Sequence, residues 1–140
     1  MKLVYPAVLY PFSDGSEGYV VEVPDLPGCV TEGESLADAI LMGTDAASGW
    51  ILDEWENDRD VPPPSDLSKL EYNEDGMVSL LALDMDSYAE KHGTKAIRKN
   101  LTIPAYMNTY AETRGINFSK LLQDAIAKQM AMTVSDTKDN

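Results

Sequence analysis

One cysteine and one histidine, Cys29 and His92, are all that 140 residues supply of either. A single thiol excludes an internal disulfide and fits a reducing compartment. Its plain reading is a small, half-buried apolar residue rather than a reactive nucleophile. No apolar run approaches the ~20 residues needed to cross a bilayer, and Tyr5, Pro6 and Tyr10 interrupt the start where a signal peptide would run. The expectation is a cytoplasmic protein with no membrane partner. Cations are scarce too, with 11 Lys and Arg against 24 Asp and Glu, for a formal charge of −13. What remains is ordinary: 44% hydrophobic residues mark a globular chain, long enough for one domain or two small ones.

The few cations are unevenly placed. Residues 1–90 hold three bases (Lys2, Arg59, Lys69) and twenty acids, 3 − 20 = −17, whereas residues 91–140 hold eight bases and four acids, 8 − 4 = +4. Such asymmetry implies two modules with different kinds of partner, although acids also serve solubility alone. The basic run KAIRKNLTIPA, Lys95 to Ala105, stands just before a helix start.

The first module reads as a β-meander with a helix. Leu3–Tyr10 is an apolar strand, and Ser13-Asp14-Gly15-Ser16 a turn. Gly18–Val23 is a second strand, Pro24-Asp25-Leu26-Pro27-Gly28 a rigid corner, and Cys29–Glu32 a third strand ended by Gly33. Ser35 caps a helix with Asp38 as its capping-box partner. Leu36, Ala39, Ile40, Ala46, Ala47, Trp50, Ile51 and Trp55 give that helix one apolar face. Gly43 and Gly49 weaken it locally and let it lie close on a sheet. Pro62-Pro63-Pro64 forms a stiff loop, and Met77–Leu83 a last strand after the turn Asn73–Gly76.

The order is therefore βββαβ, an α+β arrangement with one helix on one face of a small sheet. The stretch GYVVEVPDLPGCVTEGESLADA, within residues 1–83, resembles the N-terminal domain of HicB-type antitoxins. The resemblance implies a partial, truncated ribonuclease H-like domain. Two-metal hydrolysis by that fold needs converging carboxylates, one of them inside the first strand. Here LVYPAVLY holds none, and no nucleophile, base and orienting group assemble elsewhere. The module reads as non-catalytic, with no catalytic residue, metal or cofactor expected.

Asp84–Gly93, within a connector of residues 84–94, reads as short helix or irregular chain. Beyond it, Arg98 to Ile103 alternates as a strand does, with Leu101 and Ile103 on one side and Arg98, Asn100 and Thr102 on the other. Pro104 suits the first turn of a helix striped by Tyr106, Met107, Tyr110 and Ala111 and ended near Arg114 and Gly115. Asn117 caps a second helix, with Phe118, Leu121, Leu122, Ala125, Ile126 and Met130 along one face. Residues 133–140 read as a frayed, flexible tail.

A lone strand and two helices cannot pair their own backbone or bury enough surface, so this half is expected to fold only as a dimer. RKNLTIPAYMNTYAETRGINFSKLLQDAIAKQM, within residues 95–132, resembles a ribbon-helix-helix (βαα) dimerisation and DNA-binding domain. The resemblance places Arg98, Asn100 and Thr102 toward the bases in the major groove. Arginine can hold guanine, and asparagine adenine, by paired hydrogen bonds. Asn117, Phe118 and Ser119 would offer helix-start amides to a phosphate, and Lys95, Lys99 and Lys120 further phosphate contacts. Lys99 departs from the pattern, falling on the apolar side with Ile97.

Together the two resemblances imply an antitoxin of a HicA–HicB toxin–antitoxin pair. Its partners would be a small basic HicA toxin, an mRNA endoribonuclease, together with its own operator DNA and a second copy, with dimer or tetramer left open. Two rivals stand beside this reading: a surviving nuclease, and a ribbon-helix-helix repressor whose N-terminal domain only senses a ligand or assembles subunits.

Overall fold

The computed structural model describes residues 1–92 and 95–136, the last two by their backbone alone. The end of the expected connector, residues 93–94, and the tail residues 137–140 lie outside them. Four strands, β1 (Lys2–Pro11), β2 (Tyr19–Glu22), β3 (Val30–Gly33) and β4 (Met77–Asp84), form one antiparallel sheet in the order β3-β2-β1-β4. The helix α1 (Leu36–Glu56) lies between β3 and β4 in the chain, giving the βββαβ order read from the sequence.

The apolar run of β1 is buried without a break from Tyr5 to Leu9. Tyr5, Ala7 and Leu9 are buried toward α1, and Tyr5 stands opposite Leu81 in the β1–β4 register. Turn chemistry sets the other strands. Gly15 and Gly28 adopt positive φ, and the Pro24–Gly28 corner closes with Leu26 N–H on the Val23 carbonyl and Cys29 N–H on that of Leu26.

Helix α1 starts at the expected cap, where Ser35 Oγ accepts from Asp38 N–H at 3.1 Å. The Asp38 carboxylate reaches one residue further back than a standard capping box and accepts from Glu34 N–H at 2.9 Å. Ala39, Gly43, Ala47 and Ile51, four residues apart, are the buried stripe. Leu36, expected on that stripe, is instead exposed. A side chain at Gly43 would come 3.0 Å from Val21 Cγ1, so this glycine does let helix and sheet approach. Gly49 differs from expectation: its vacant side faces Tyr88 Oη, not the sheet.

The core fills the space between α1 and the sheet, and all its residues fall between Leu3 and Met85. Cys29 belongs to it and is buried rather than half-buried. After the proline loop and a 3₁₀ turn at Leu67–Lys69, β4 runs directly into α2 (Met85–Lys91), capped by Asp84. The connector is thus helical where it is described. The chain continues through α3 (Ala105–Thr113) and α4 (Phe118–Asp136). Helix α4 extends four residues past Met132, into the part read as frayed. The reason is Val134, which is buried near Trp55 and Val61 around a cavity of about 220 Å³.

Candidate nucleic-acid interface

Residues 95–104 take up no regular secondary structure in the single chain. The strand expected over Arg98–Ile103 is absent because no neighbouring strand lies beside it, and an unpaired backbone has nothing to ladder with. Lys95, Arg98, Lys99, Asn100 and Thr102 are all exposed. So are the apolar residues that alternate with them: Ile97 is 79% and Leu101 67% accessible.

The helices that follow begin and end as their sequence dictates. Pro104 is the N-cap of α3 rather than its first helical residue, one position from expectation. Arg114 at the other end lies 3.7 Å over the Tyr110 ring, and Gly115 turns the chain with φ +64°. Asn117 Oδ1 accepts from Lys120 N–H at 3.0 Å, which caps α4. Asn117, Phe118, Ser119 and Lys120 are therefore gathered at one exposed helix start. Besides Asn117, two of them have local side-chain partners: Ser119 Oγ accepts from Gln123 Nε2, and Lys120 Nζ stands 3.7 Å from Asp124.

Of the apolar stripe on α3 only Ala111 is buried, while Tyr106, Met107 and Tyr110 are exposed. On α4 the same holds for Phe118, Leu121, Leu122 and Ile126. A run of this many large apolar side chains facing water marks a surface that needs a partner.

Lys95 has a second neighbourhood that the sequence did not reveal. With Asp53, Glu56, Tyr88 and His92 it lines an open groove of about 410 Å³ beside α1 and α2. There His92 stacks on Tyr88, ring centres 4.1 Å apart, with Nε2 4.0 Å from Asp45. Spacing along the chain could not signal this, because α1 and α2 are thirty residues apart.

The remainder of the first ninety residues presents mostly carboxylates. Arg59, one of its three cations, is engaged by Glu54 at 2.9 Å and Asp53 at 3.2 Å. That hydrogen bond holds the Glu54 carboxyl below its ordinary range. Strand β1 carries no acid, and among the described residues no three His, Cys, Asp or Glu side chains gather as metal ligands. Burial pushes the Cys29 thiol up, away from the reactive thiolate. No helix among the described residues is long and apolar enough to cross a membrane.

Residues 5–126 match a family described as the HicB-like antitoxin of bacterial toxin–antitoxin systems. The chain belongs to this family. The match takes in the sheet, α1, α2, α3 and the first half of α4. Among solved structures this HicB-like antitoxin is similar to a chain of a toxin–antitoxin complex from Streptococcus pneumoniae, at 31% identity and a TM-score of 0.59, over 92% of this chain and 99% of that one. It shares its fold with the antitoxin HicB of Burkholderia pseudomallei, at 24% identity and a TM-score of 0.56, over 89% and 96% of the two chains. An uncharacterised 14.9 kDa protein from the rep–hol intergenic region of Haemophilus phage HP1 is 31% identical over 109 residues, 75% of this chain and 76% of that protein. Membership of an antitoxin family points to a role other than catalysis.

Proposed function

We propose that this HicB-like antitoxin neutralises a HicA-type mRNA endoribonuclease by direct binding and represses its own operon by binding operator DNA. The first module, residues 1–83, is read as a truncated ribonuclease H-like domain that binds the toxin. A protein that holds RNA must be cationic, and a −17 surface complements it and speeds encounter. Residues 95–132 are read as a ribbon-helix-helix unit that folds fully on pairing with a second copy. Two strands over Arg98–Ile103 then form the ladder that one chain lacks, with Arg98, Asn100 and Thr102 toward the major groove. The work takes place in the cytoplasm, where operator and messenger are both found.

The observation that carries this reading is the recurrent exposure of large apolar side chains from Ile97 to Ile126, Ile116 excepted, in a segment of extended-chain, helix, turn, helix order. Operator-binding assays on DNA from upstream of its own reading frame test it. Asn100→Ala should weaken that binding roughly 5- to 150-fold, the loss of about 1–3 kcal/mol of base discrimination, and leave nonspecific binding nearly unchanged. Unchanged operator affinity would remove the DNA-reading role. Co-expression with a neighbouring short basic frame tests the other half: the frame should arrest growth alone and not in company. A neighbour that is neither bound nor neutralised leaves the repressor reading, with the first module assembling subunits or sensing a ligand.

A further inference from the structure

Helix α1 carries Asp38, Asp45, Asp53, Glu54 and Glu56 and not one Lys or Arg. Its second half finds partners within the chain. Arg59 is held by Glu54 and Asp53, and Tyr88 of α2 sets its Oη at the vacant side of Gly49. The first half stays open. Asp38, Leu41, Met42 and Asp45 fall at i, i+3, i+4 and i+7, which places them on one face, turned away from the buried stripe of Ala39, Gly43 and Ala47. Leu41 is 69% and Met42 41% accessible, with a carboxylate one turn to either side. Asp45 has His92 Nε2 at 4.0 Å, and among the described residues no Lys or Arg pairs with it or with Asp38. Lysine, glutamine or arginine would serve an exposed helix as well as leucine and methionine do, so helix formation does not account for an apolar pair there.

We infer that this face of α1 is where the toxin docks, seating an apolar side chain of its own against Leu41 and Met42 and its cations against Asp38 and Asp45. The inference rests on the reading that residues 1–83 bind a cationic toxin. Charge selects this occupant. A second copy would bring its own carboxylates toward Asp38 and Asp45, and duplex DNA would bring phosphates. A cationic protein gains from both features of the face. The carboxylates steer its approach, and the apolar pair, once shut off from water, retains it. The other bare apolar surface of the module surrounds Leu80 on the sheet, 54% accessible, within a strand, Met77–Leu83, that has no ionisable side chain. That surface offers contact without steering. On α1 the toxin would extend the row of contacts that α2 begins at Gly49.

Binding rates of the full chain with the purified short basic protein of the neighbouring frame, followed by biolayer interferometry, test it. Leu41→Lys should speed dissociation and weaken binding at least about tenfold, with thermal midpoint and operator affinity retained. Met42→Ala, which only shortens a side chain on the same face, should weaken binding about threefold or more. Leu67→Lys, the same change at an exposed site on the 3₁₀ turn, should shift affinity less than about twofold. Asp45→Asn should act on the other rate, slowing association at low salt and leaving dissociation nearly unchanged. Wild-type affinity in both Leu41→Lys and Met42→Ala, or an equal loss in Leu67→Lys, would overturn the placement while the toxin-binding role stands. A loss confined to Leu80→Lys would overturn it too, assigning the dock to the sheet. A wild-type chain that does not bind the basic protein at all removes the toxin-binding role, and this inference with it.

Discussion

Tyr5 joins the core of the sheet to the proline loop, its hydroxyl donating to the Pro62 carbonyl at 2.5 Å. Burial first, and the Asp25 carboxylate second, push this phenol from 10.0 up to about 12. The folded state holds that proton more tightly than the unfolded chain. Its stabilisation is therefore complete below about pH 10 and is lost as pH rises toward 12. Tyr5→Phe should flatten the stability profile across that interval and cost about 1–3 kcal/mol at neutral pH, where the Pro62 carbonyl loses its donor. Denaturant titrations at a series of pH values measure both effects. Gly33 is constrained in another way. A side chain there would stand 2.3 Å from Ala39 N and 2.7 Å from Asp38 C, backbone atoms that cannot turn aside. Gly33→Ala should lower stability by at least about 1–3 kcal/mol, in the range of overpacked cores, by pushing β3 off the first turn of α1.

The elements differ in how far local chemistry determines them. Helix α1 was legible from Ser35, Asp38 and its apolar spacing, and the first three strands from the turns that bound them. These features act within a few residues of where they stand. The helix starts at Ser35 and Asn117 were readable for the same reason. Asn117→Ala should remove the cap on Lys120 N–H and cost about 1 kcal/mol, seen as a lower thermal midpoint without loss of fold. What the sequence hid depends on contacts between distant parts. Val134 lies in a polar stretch, and only its burial near Trp55 and Val61 explains why α4 continues through it. Gly49 looked like a sheet contact because its partner Tyr88 lies on another helix. The segment Arg98–Ile103 alternates like a strand yet forms none in the single chain, since a ladder needs a second strand beside it. The candidate base-reading side chains were thus nameable from residue type and spacing, but in the proposed pairing their arrangement depends on a second copy. Leu101→Asp should place two carboxylates in the proposed paired core. Full-length protein should then sediment at lower mass at all micromolar concentrations, whereas the wild type keeps its assembly on dilution.

At the scale of the whole molecule the charge division governs how the two modules can work together. The proposed operator binding has to overcome the repulsion between DNA and a −17 module while relying on a small set of cations. In the proposed complex Lys95, Lys99 and Lys120 would supply three phosphate contacts per copy, six in a pair. Each releases a condensed counterion, which gives a slope of log affinity on log salt of about −5 and a loss of about a thousandfold between 50 and 200 mM. Lys95 also lines the groove with Asp53 and Glu56, carboxylates expected to answer part of its charge when DNA is absent. Lys95→Gln should consequently change the slope less than Lys99→Gln, although both remove one positive charge. Fluorescence anisotropy on operator DNA across a salt series measures the three slopes. A flat wild-type response would mean that phosphates contribute little. Equal changes from the two lysines would mean that the α1 carboxylates do not hold Lys95 back, and that the acidic module stands clear of the DNA-binding segment.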